Sequence, residues 1–379
     1  MRAQAVSIVR MPEKRSNPLS HPLFGADPAT LLKVFARSGI PSAHRLECGL
    51  AFAASLAQTP FAAIEHGWTL ARRGAKGVKQ APVFILGHWR SGTTHLYNVM
   101  SRAPHWGYVS PFATALPWDF LLLARALQPL LAKALPEGRY IDNVPVNPDS
   151  PQEDEIGLAN MTPLSFYHAL YFPRRFKEIF NAGVFFDGCS PDEIESWTRT
   201  LRYYYDKLSI GANGARLLIK NPVYTARADL LRRMWPDAKF IHIHRNPFEV
   251  FVSMRNFYEK LFAQFALEPW DHVDIDAVIV DTYLRMMKDL TRDAETMAPG
   301  QFVELSYDDL QAAPMEALQR IYSTLDLPGF AQNEARFSAY LQSVTGYRKN
   351  NFRFPDHDKE RVARALAPFI ERWSYAPPA

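Results

Sequence analysis

"VFILGHWRSGTTHLYNVM", residues 83–100, decides the fold. Four apolar residues (83–86) run into Gly87, a second glycine follows at 92, and two threonines then open an apolar helical pattern. A strand, a glycine-bounded turn and a helix in that order aim backbone N–H groups at one point. The helix adds its positive end, roughly +0.5 charge, so a phosphate-like dianion can sit there. The GxxxxGK[ST] form of such a loop uses a lysine for the β/γ-phosphates and a hydroxyl for Mg²⁺. Here Thr93 stands at the lysine position, and Arg90 is the cation inside the loop. A loop so equipped suits a bare anion held by an arginine and hydroxyls, with no metal bridging two phosphates.

The same strand-then-helix order recurs on the C-terminal side. "RLLIK" (216–220), "KFIHIH" (239–244) and "QFVEL" (301–305) are short apolar runs. Each is followed by a helical pattern: "TARADLLRRMW", "PFEVFVSMRNFYEKL" and "MEALQRIYSTLDL". Alternation of this kind predicts an α/β three-layer sandwich, a central parallel sheet with helices on both faces and a P-loop-like loop at its edge. Between the first two strands lies a long insertion, roughly 104–215, irregular in pattern and rich in proline and aromatics. It is expected as a helical cover over the carboxyl ends of the strands, where ligands bind in such folds. Residues 1–80 read as a helical N-terminal extension, linked by "RRGAKGVK" to one domain over residues 81–379.

Composition narrows the class of function. With 379 residues, 47% of them hydrophobic and 22% charged, the chain can bury a large core. A net charge of +4 with no recurring Lys/Arg-dense face suits an anionic small ligand and excludes a nucleic-acid partner. Two cysteines, Cys48 and Cys189, predict no disulfide framework and a reducing compartment. The first 25 residues lack an apolar core of signal-peptide length, and "FLLLARALQPLLAKAL" (120–135) is broken by Arg125, Pro129 and Lys133. A soluble, cytoplasmic protein without a transmembrane segment is expected.

Further stretches carry a resemblance. "GHWRSGTTHL" resembles the phosphosulfate loop of sulfotransferases that use 3′-phosphoadenosine 5′-phosphosulfate (PAPS), with Trp89 at the usual proline position and His95 where tryptophan is frequent. "FIHIHRNPFEVFVSM" (240–254) is similar to that family's 3′-phosphate motif, an arginine at a strand end and a serine eight residues later, here Arg245 and Ser253. Physically, a guanidinium there can grip a phosphate bidentately while the hydroxyl adds one hydrogen bond. "YRKNNF" (347–352) resembles the late basic segment over the 3′-phosphate, making Arg348 and Lys349 candidates; the family's glycines are missing from it. "VELSYDDL" resembles the segment whose tyrosine, here Tyr307, approaches the adenine. "LLIKNP" resembles the bacterial and protein-tyrosine branch, which puts a lysine, here Lys220, beside the transferring sulfonyl group.

The resemblance implies PAPS as co-substrate and no metal. Arg90, Ser91, Gly92, Thr93 and Thr94 would form the 5′ side of the nucleotide site, with His95 facing the adenine. Sulfonyl transfer is in-line displacement, so positive charge must meet the leaving phosphate, here from Arg90 and Lys220, and a base must meet the acceptor hydroxyl or amine. The candidates are the acids of "NVPVNPDSPQEDEIGLA" (143–159), Glu153 first, then Glu155, with Asp154 between them. The same acids at a helix start would also serve as ordinary dipole capping, at ~0.3–1 kcal/mol each. His88 is a rival base. His242 and His244 could ligate a metal, but no cluster completes a set, and core packing is the simpler reading.

The acceptor is less legible. Apolar and aromatic runs in the insertion suggest a hydrophobic small molecule or lipid. A dimer stays open, and so does peripheral membrane contact through residues 45–70, with no basic polar face to carry it. Two other classes compete. One is a Mg²⁺-dependent P-loop kinase or NTPase, against which Thr93 and the Arg245–Ser253 pair stand. The other is a non-catalytic nucleotide-binding protein, whose sequence would lack Lys220 and the acidic triplet.

Overall fold

The computed structural model describes residues 21–126, 150–344 and 354–378. Its centre is a five-stranded parallel sheet: β1 (Val83–Leu86), β2 (Trp106–Gly107), β3 (Arg216–Lys220), β4 (Lys239–His244) and β5 (Phe302–Ser306), in the spatial order β2-β3-β1-β4-β5. Val83 lies opposite Leu218 on one side and Lys239 on the other, so β1 is flanked by both neighbours along its length. Both faces of β1 are buried, as the unbroken VFIL run requires. Phe84 and Leu86 point to one face, with Ile219 and Phe240; Val83 and Ile85 point to the other, with Leu218, Ile241 and Val303.

Helices complete the layers. In chain order they include α1 (Pro28–Ser38), α2 (Arg45–Lys76), α3 (Thr93–Met100), α4 (Glu155–Ala159), α5 (Tyr167–Tyr171), α6 (Phe176–Phe185), α7 (Pro191–Gly211), α8 (Ala228–Met234), α9 (Pro247–Phe265), α10 (Ile275–Ala294) and α11 (Tyr307–Ala312). Leu96 and Met100 of α3 pack on the Val83/Ile85 face, and Leu201, Tyr205 and Leu208 of α7 pack on the Phe84 face. A third core lies beyond the sheet, where Phe176 and Phe180 of α6 meet Tyr258 and Phe262 of α9.

The predicted strands recur, the last of them one residue later than read, and the layered α/β class stands. The interval 104–215 differs from its reading as irregular cover. It contributes β2 to the edge of the sheet and α7 to one of its faces. The reason is visible in "SPDE": Ser190 caps α7, Glu193 returns a bond to the cap, and Pro191 fills the first helical position. Helix α10 was not read from the sequence at all.

The N-terminal extension is tied down by a buried ion pair. Glu65 of α2 meets Lys207 of α7 at 2.8 Å with both side chains fully enclosed. Glu65 also accepts the backbone N–H groups of Leu121 and Leu122, at 3.1 and 2.8 Å. Burial nevertheless pulls the Lys207 ammonium down to about 8. The sheet being parallel, the ends of β1, β3, β4 and β5 open on one edge, and the candidate residues lie there.

Candidate active site

The loop after β1 is fixed at both glycines. Gly87 has φ +145° and donates its N–H to Thr225 Oγ1 at 2.9 Å; a Cβ there would stand 2.4 Å from the carbonyl oxygen of Ile243. Gly92 has φ +98°, and a Cβ there would fall 2.1 Å from the ring of Tyr307. No L side chain fits either place. Arg90 itself takes φ +70°, a conformation tolerated in a loop whose other bonds over-determine it. Those bonds include Ser91 N–H and Ser91 Oγ, both donating to the carbonyl of His88, at 3.2 and 2.8 Å. Trp89, in place of a rigid proline, anchors the loop by burying its indole among Phe166, Phe180 and Phe257. Thr93 is buried and Thr94 half-buried in the first turn of α3, whose N–H groups face the same edge.

Residues far apart in sequence close on this loop. Arg90 Nε donates to Ser253 Oγ of α9 at 2.9 Å. Arg245, at the end of β4, donates through Nη1 to the Arg90 carbonyl at 3.4 Å and lies over the Tyr307 ring, 4.9 Å from its centroid. Tyr307 in turn covers Gly92. Arg90, Gly92, Arg245, Ser253 and Tyr307 are thus one contiguous group drawn from three strand ends. Two guanidinium groups face each other's surroundings there with one acid alongside, Glu249, which accepts from Arg245 Nε at 2.7 Å. Such a pocket favours an anion.

The loop before α4 divides its three acids between two roles. Glu153 pairs with the buried ammonium of Lys220 at the end of β3. Asp154 turns inward and accepts from Tyr205 Oη at 2.7 Å, from Tyr224 Oη, and from Asn221 Nδ2 at 2.8 Å. Its burial pushes the carboxyl up to about 7, against the pull of those donors. Glu155 accepts from the second hydrogen of Asn221 at 2.8 Å and from Ser165 Oγ at 2.7 Å, and burial raises it as well. Asp154 occupies the cap position of α4 but makes no capping bond, and Glu155 lies in the first turn of that helix. Asn221, adjacent to Lys220, therefore clamps the acidic loop to β3 and presents Glu153 to Lys220.

The histidines make contacts of their own. His88 is buried, donates Nδ1–H to the Trp89 carbonyl at 3.0 Å, and is pulled down to about 4 by desolvation; its Nε2 has no partner among the described residues. His95 is half-buried one turn into α3 and is lowered by burial. His242 meets Glu304 at 2.8 Å, while His244 stacks on Trp373 at 4.3 Å and bonds Tyr375 at 2.9 Å. Among the described residues no group of three His, Cys, Asp or Glu side chains could hold a metal ion. Arg348 and Lys349 lie outside the described residues. Thr225, Asn221, Tyr205 and Tyr224 are site residues that the sequence reading missed. Of these, Asn221 alone had a local cue, its place between Lys220 and Pro222.

The chain is similar to several known proteins. A model of the sulfotransferase family matches residues 82–332. The omega-hydroxy-beta-dihydromenaquinone-9 sulfotransferase Stf3 of Mycobacterium bovis is 28% identical over 298 residues, which is 79% of this chain and 76% of that protein. The Stf3 protein of Mycobacterium tuberculosis matches equally. The structure of sulfotransferase STF9 from Mycobacterium avium covers 92% of this chain and 96% of its own with a TM-score of 0.66, at 17% identity. That of STF1 from Mycobacterium tuberculosis covers 91% and 94% with a TM-score of 0.58, also at 17% identity. At that identity the two structures speak to the fold.

Proposed function

This chain belongs to the sulfotransferase family and is a transferase of the EC 2.8.2 type, and on that premise we propose that it moves a sulfonyl group from PAPS to a hydroxyl of an apolar, lipid-like acceptor. One observation carries the donor assignment: Arg90, Gly92, Arg245, Ser253 and Tyr307 stand in a single group at the strand ends. The residues present suit the nucleotide. The loop from Arg90 through Thr94 would hold the 5′-phosphosulfate, with His95 facing the adenine. Arg245 and Ser253 would take the 3′-phosphate, with Tyr307 near the base, and Arg348 and Lys349 would close over them. PAPS when bound supplies an activated sulfonyl group and a phosphate leaving group.

The chain's own residues then divide the work. Glu153 takes the proton of the acceptor hydroxyl as general base. Its protonation removes the charge that holds Lys220, whose ammonium turns to the oxygen that gains charge on the leaving side, assisted by Arg90. Asp154 and Glu155 are held in the network of Asn221, Tyr205, Tyr224 and Ser165, and their part is to position Glu153. We take residues 81–379 as the catalytic domain, 104–215 as including the acceptor cover, and 1–80 as an extension. A lipid acceptor is supported by the menaquinone-derived substrate that the name of the Stf3 relatives gives. A cytoplasmic setting is supported by Cys48 and Cys189, which form no disulfide.

Calorimetry tests the donor. The protein is expected to bind 3′-phosphoadenosine 5′-phosphate in preference to ATP with Mg²⁺, and Arg245→Ala to weaken that binding by about 10–100-fold, the loss of one charge-assisted contact. Preference for ATP would overturn the reading. Transfer of label from PAPS into lipid extracts tests the acceptor.

A further inference from the structure

The large apolar side chains that are exposed among the described residues all lie between residues 32 and 70. Six of them, Leu46, Leu50, Leu56, Phe61, Ile64 and Leu70, are on α2, from 43% to 77% exposed. Between them the outward positions hold small residues such as Gly49, Ala53, Ala57 and Gly67. From residue 48 to 71 the sole formally charged side chain is Glu65, and it is turned inward onto Lys207. The outward face is therefore an uncharged strip of 24 residues, about 36 Å long at 1.5 Å per residue. Soluble proteins rarely leave so long an apolar strip to water.

The ends of the strip say what covers it. Arg45 stands at one end, and Arg72, Arg73, Lys76 and Lys79 cluster at the other, all exposed. None of the five pairs with a carboxylate among the described residues: Lys76 reaches Asn213, Lys79 the carbonyl of Gly74, and Arg72 stacks 4.0 Å over Trp68. The acid nearest the first end, Glu47, is engaged by His44 at 2.9 Å. A second copy of the chain laid on this face would set cations against cations in either orientation, and the acids beside the two ends among the described residues, Glu47 and Asp206, are engaged by His44 and by the Val78 N–H. A surface that is apolar inside and anionic at its boundary satisfies both features. No helix among the described residues is long and apolar enough to cross a membrane, and α2 is pinned to α7 by the Glu65–Lys207 pair, so it lies on a surface rather than spanning it.

We propose that α2 is the face by which this protein docks on an anionic lipid bilayer, its apolar strip at headgroup depth and its basic end on the lipid phosphates. The inference stands on the surface alone and does not depend on the donor or acceptor assigned above. Flotation of the full chain with vesicles tests it. The protein is expected to float with vesicles of phosphatidylglycerol and phosphatidylcholine, to stay down with phosphatidylcholine alone, and to be released by high salt. The double variant Leu50→Glu/Ile64→Glu should lower the bound fraction at least about tenfold, and Arg72→Glu/Arg73→Glu should abolish the preference for the anionic vesicles. Both variants alter exposed positions and should keep the thermal midpoint and the binding of 3′-phosphoadenosine 5′-phosphate. Failure of the wild type to float, or flotation indifferent to these changes, would overturn the proposal. So would a dimer in sedimentation that Ile64→Glu splits while no vesicle binding is seen. Each of those outcomes leaves the transferase reading untouched.

Discussion

Arg245 already holds a carboxylate, because Glu249 one helical turn on accepts from it. A phosphate arriving there has to displace that contact, and exposed pairs of this spacing are worth only a few tenths of a kcal/mol. Glu249→Gln should therefore tighten binding of the bisphosphate nucleotide by a factor of about 2–5 in calorimetry. Weaker binding would show that Glu249 holds the arginine in place rather than competing for it. Lys220 and Glu153 make the opposite case, since the proposed function assigns them to the transfer and not to the nucleotide's distal phosphate. Lys220→Ala and Glu153→Gln should each lower single-turnover rates by about 10²–10³-fold while nucleotide affinity stays within a few-fold. Comparable losses of affinity and rate would move these residues from the transfer to the binding of the nucleotide. Arg90, Lys220 and Arg245 were legible in the sequence because each sits within a few residues of a strand end and a turn. Tyr205, Tyr224 and Thr225 were not, because what makes them matter lies 51, 70 and 138 residues away.

At the scale of elements, the short segment before α4 is held by Asn221 more than by its own helix. One amide there serves two buried carboxylates, and removing it leaves both short of a donor. Asn221→Ala should lower stability by about 2–4 kcal/mol on the usual cost of orphaned buried polar groups, read as a shift of the denaturation midpoint. It should also lower the transfer rate, because Glu153 loses its support. The strands themselves were readable as apolar runs bounded by turns. Two of the elements that escaped, besides α10, did so for evident physical reasons. Strand β2 is two residues at a sheet edge, too short for any periodicity, and α7 hid in a region judged by its prolines. Yet one of those prolines, Pro191, with Ser190 and Glu193, starts α7.

Across the whole molecule, buried titratable groups pull stability in opposite directions. His88, His168 and His244 are each pulled by burial to about 4 from an ordinary 6.5. The unfolded chain takes up their protons first, so the stability they leave is lost as pH falls from 6.5 towards 4. Asp154, pushed up to about 7, and Asp119, to about 6, act the other way: the fold holds the neutral acid, and stability is lost as pH rises through those values. The two trends offset each other in the native chain. Asp154→Asn should therefore gain in thermal midpoint relative to wild type as pH rises from about 4 to 7. The variant should show a steeper decline on acidification, with the histidines less opposed. A constant difference between variant and wild type across that range would remove Asp154 as a titrating group.

The Glu65–Lys207 pair has a consequence for how the chain can be divided. Sequence alone sets residues 1–80 apart as a helical extension, yet the ammonium enclosed in the rest of the chain finds its carboxylate on that extension. A chain started at residue 81 would leave Lys207 between Phe120 and Tyr203 without Glu65, its hydrogen-bonded carboxylate, and with only the more distant Asp119 to oppose it. Breaking a buried pair from one side costs about 3–5 kcal/mol, a large part of a typical domain's whole margin. The cut piece should be recovered as aggregate, whereas the same cut with Lys207→Met should regain solubility. The part that faces outward and the part that does the chemistry therefore fold as one cooperative unit.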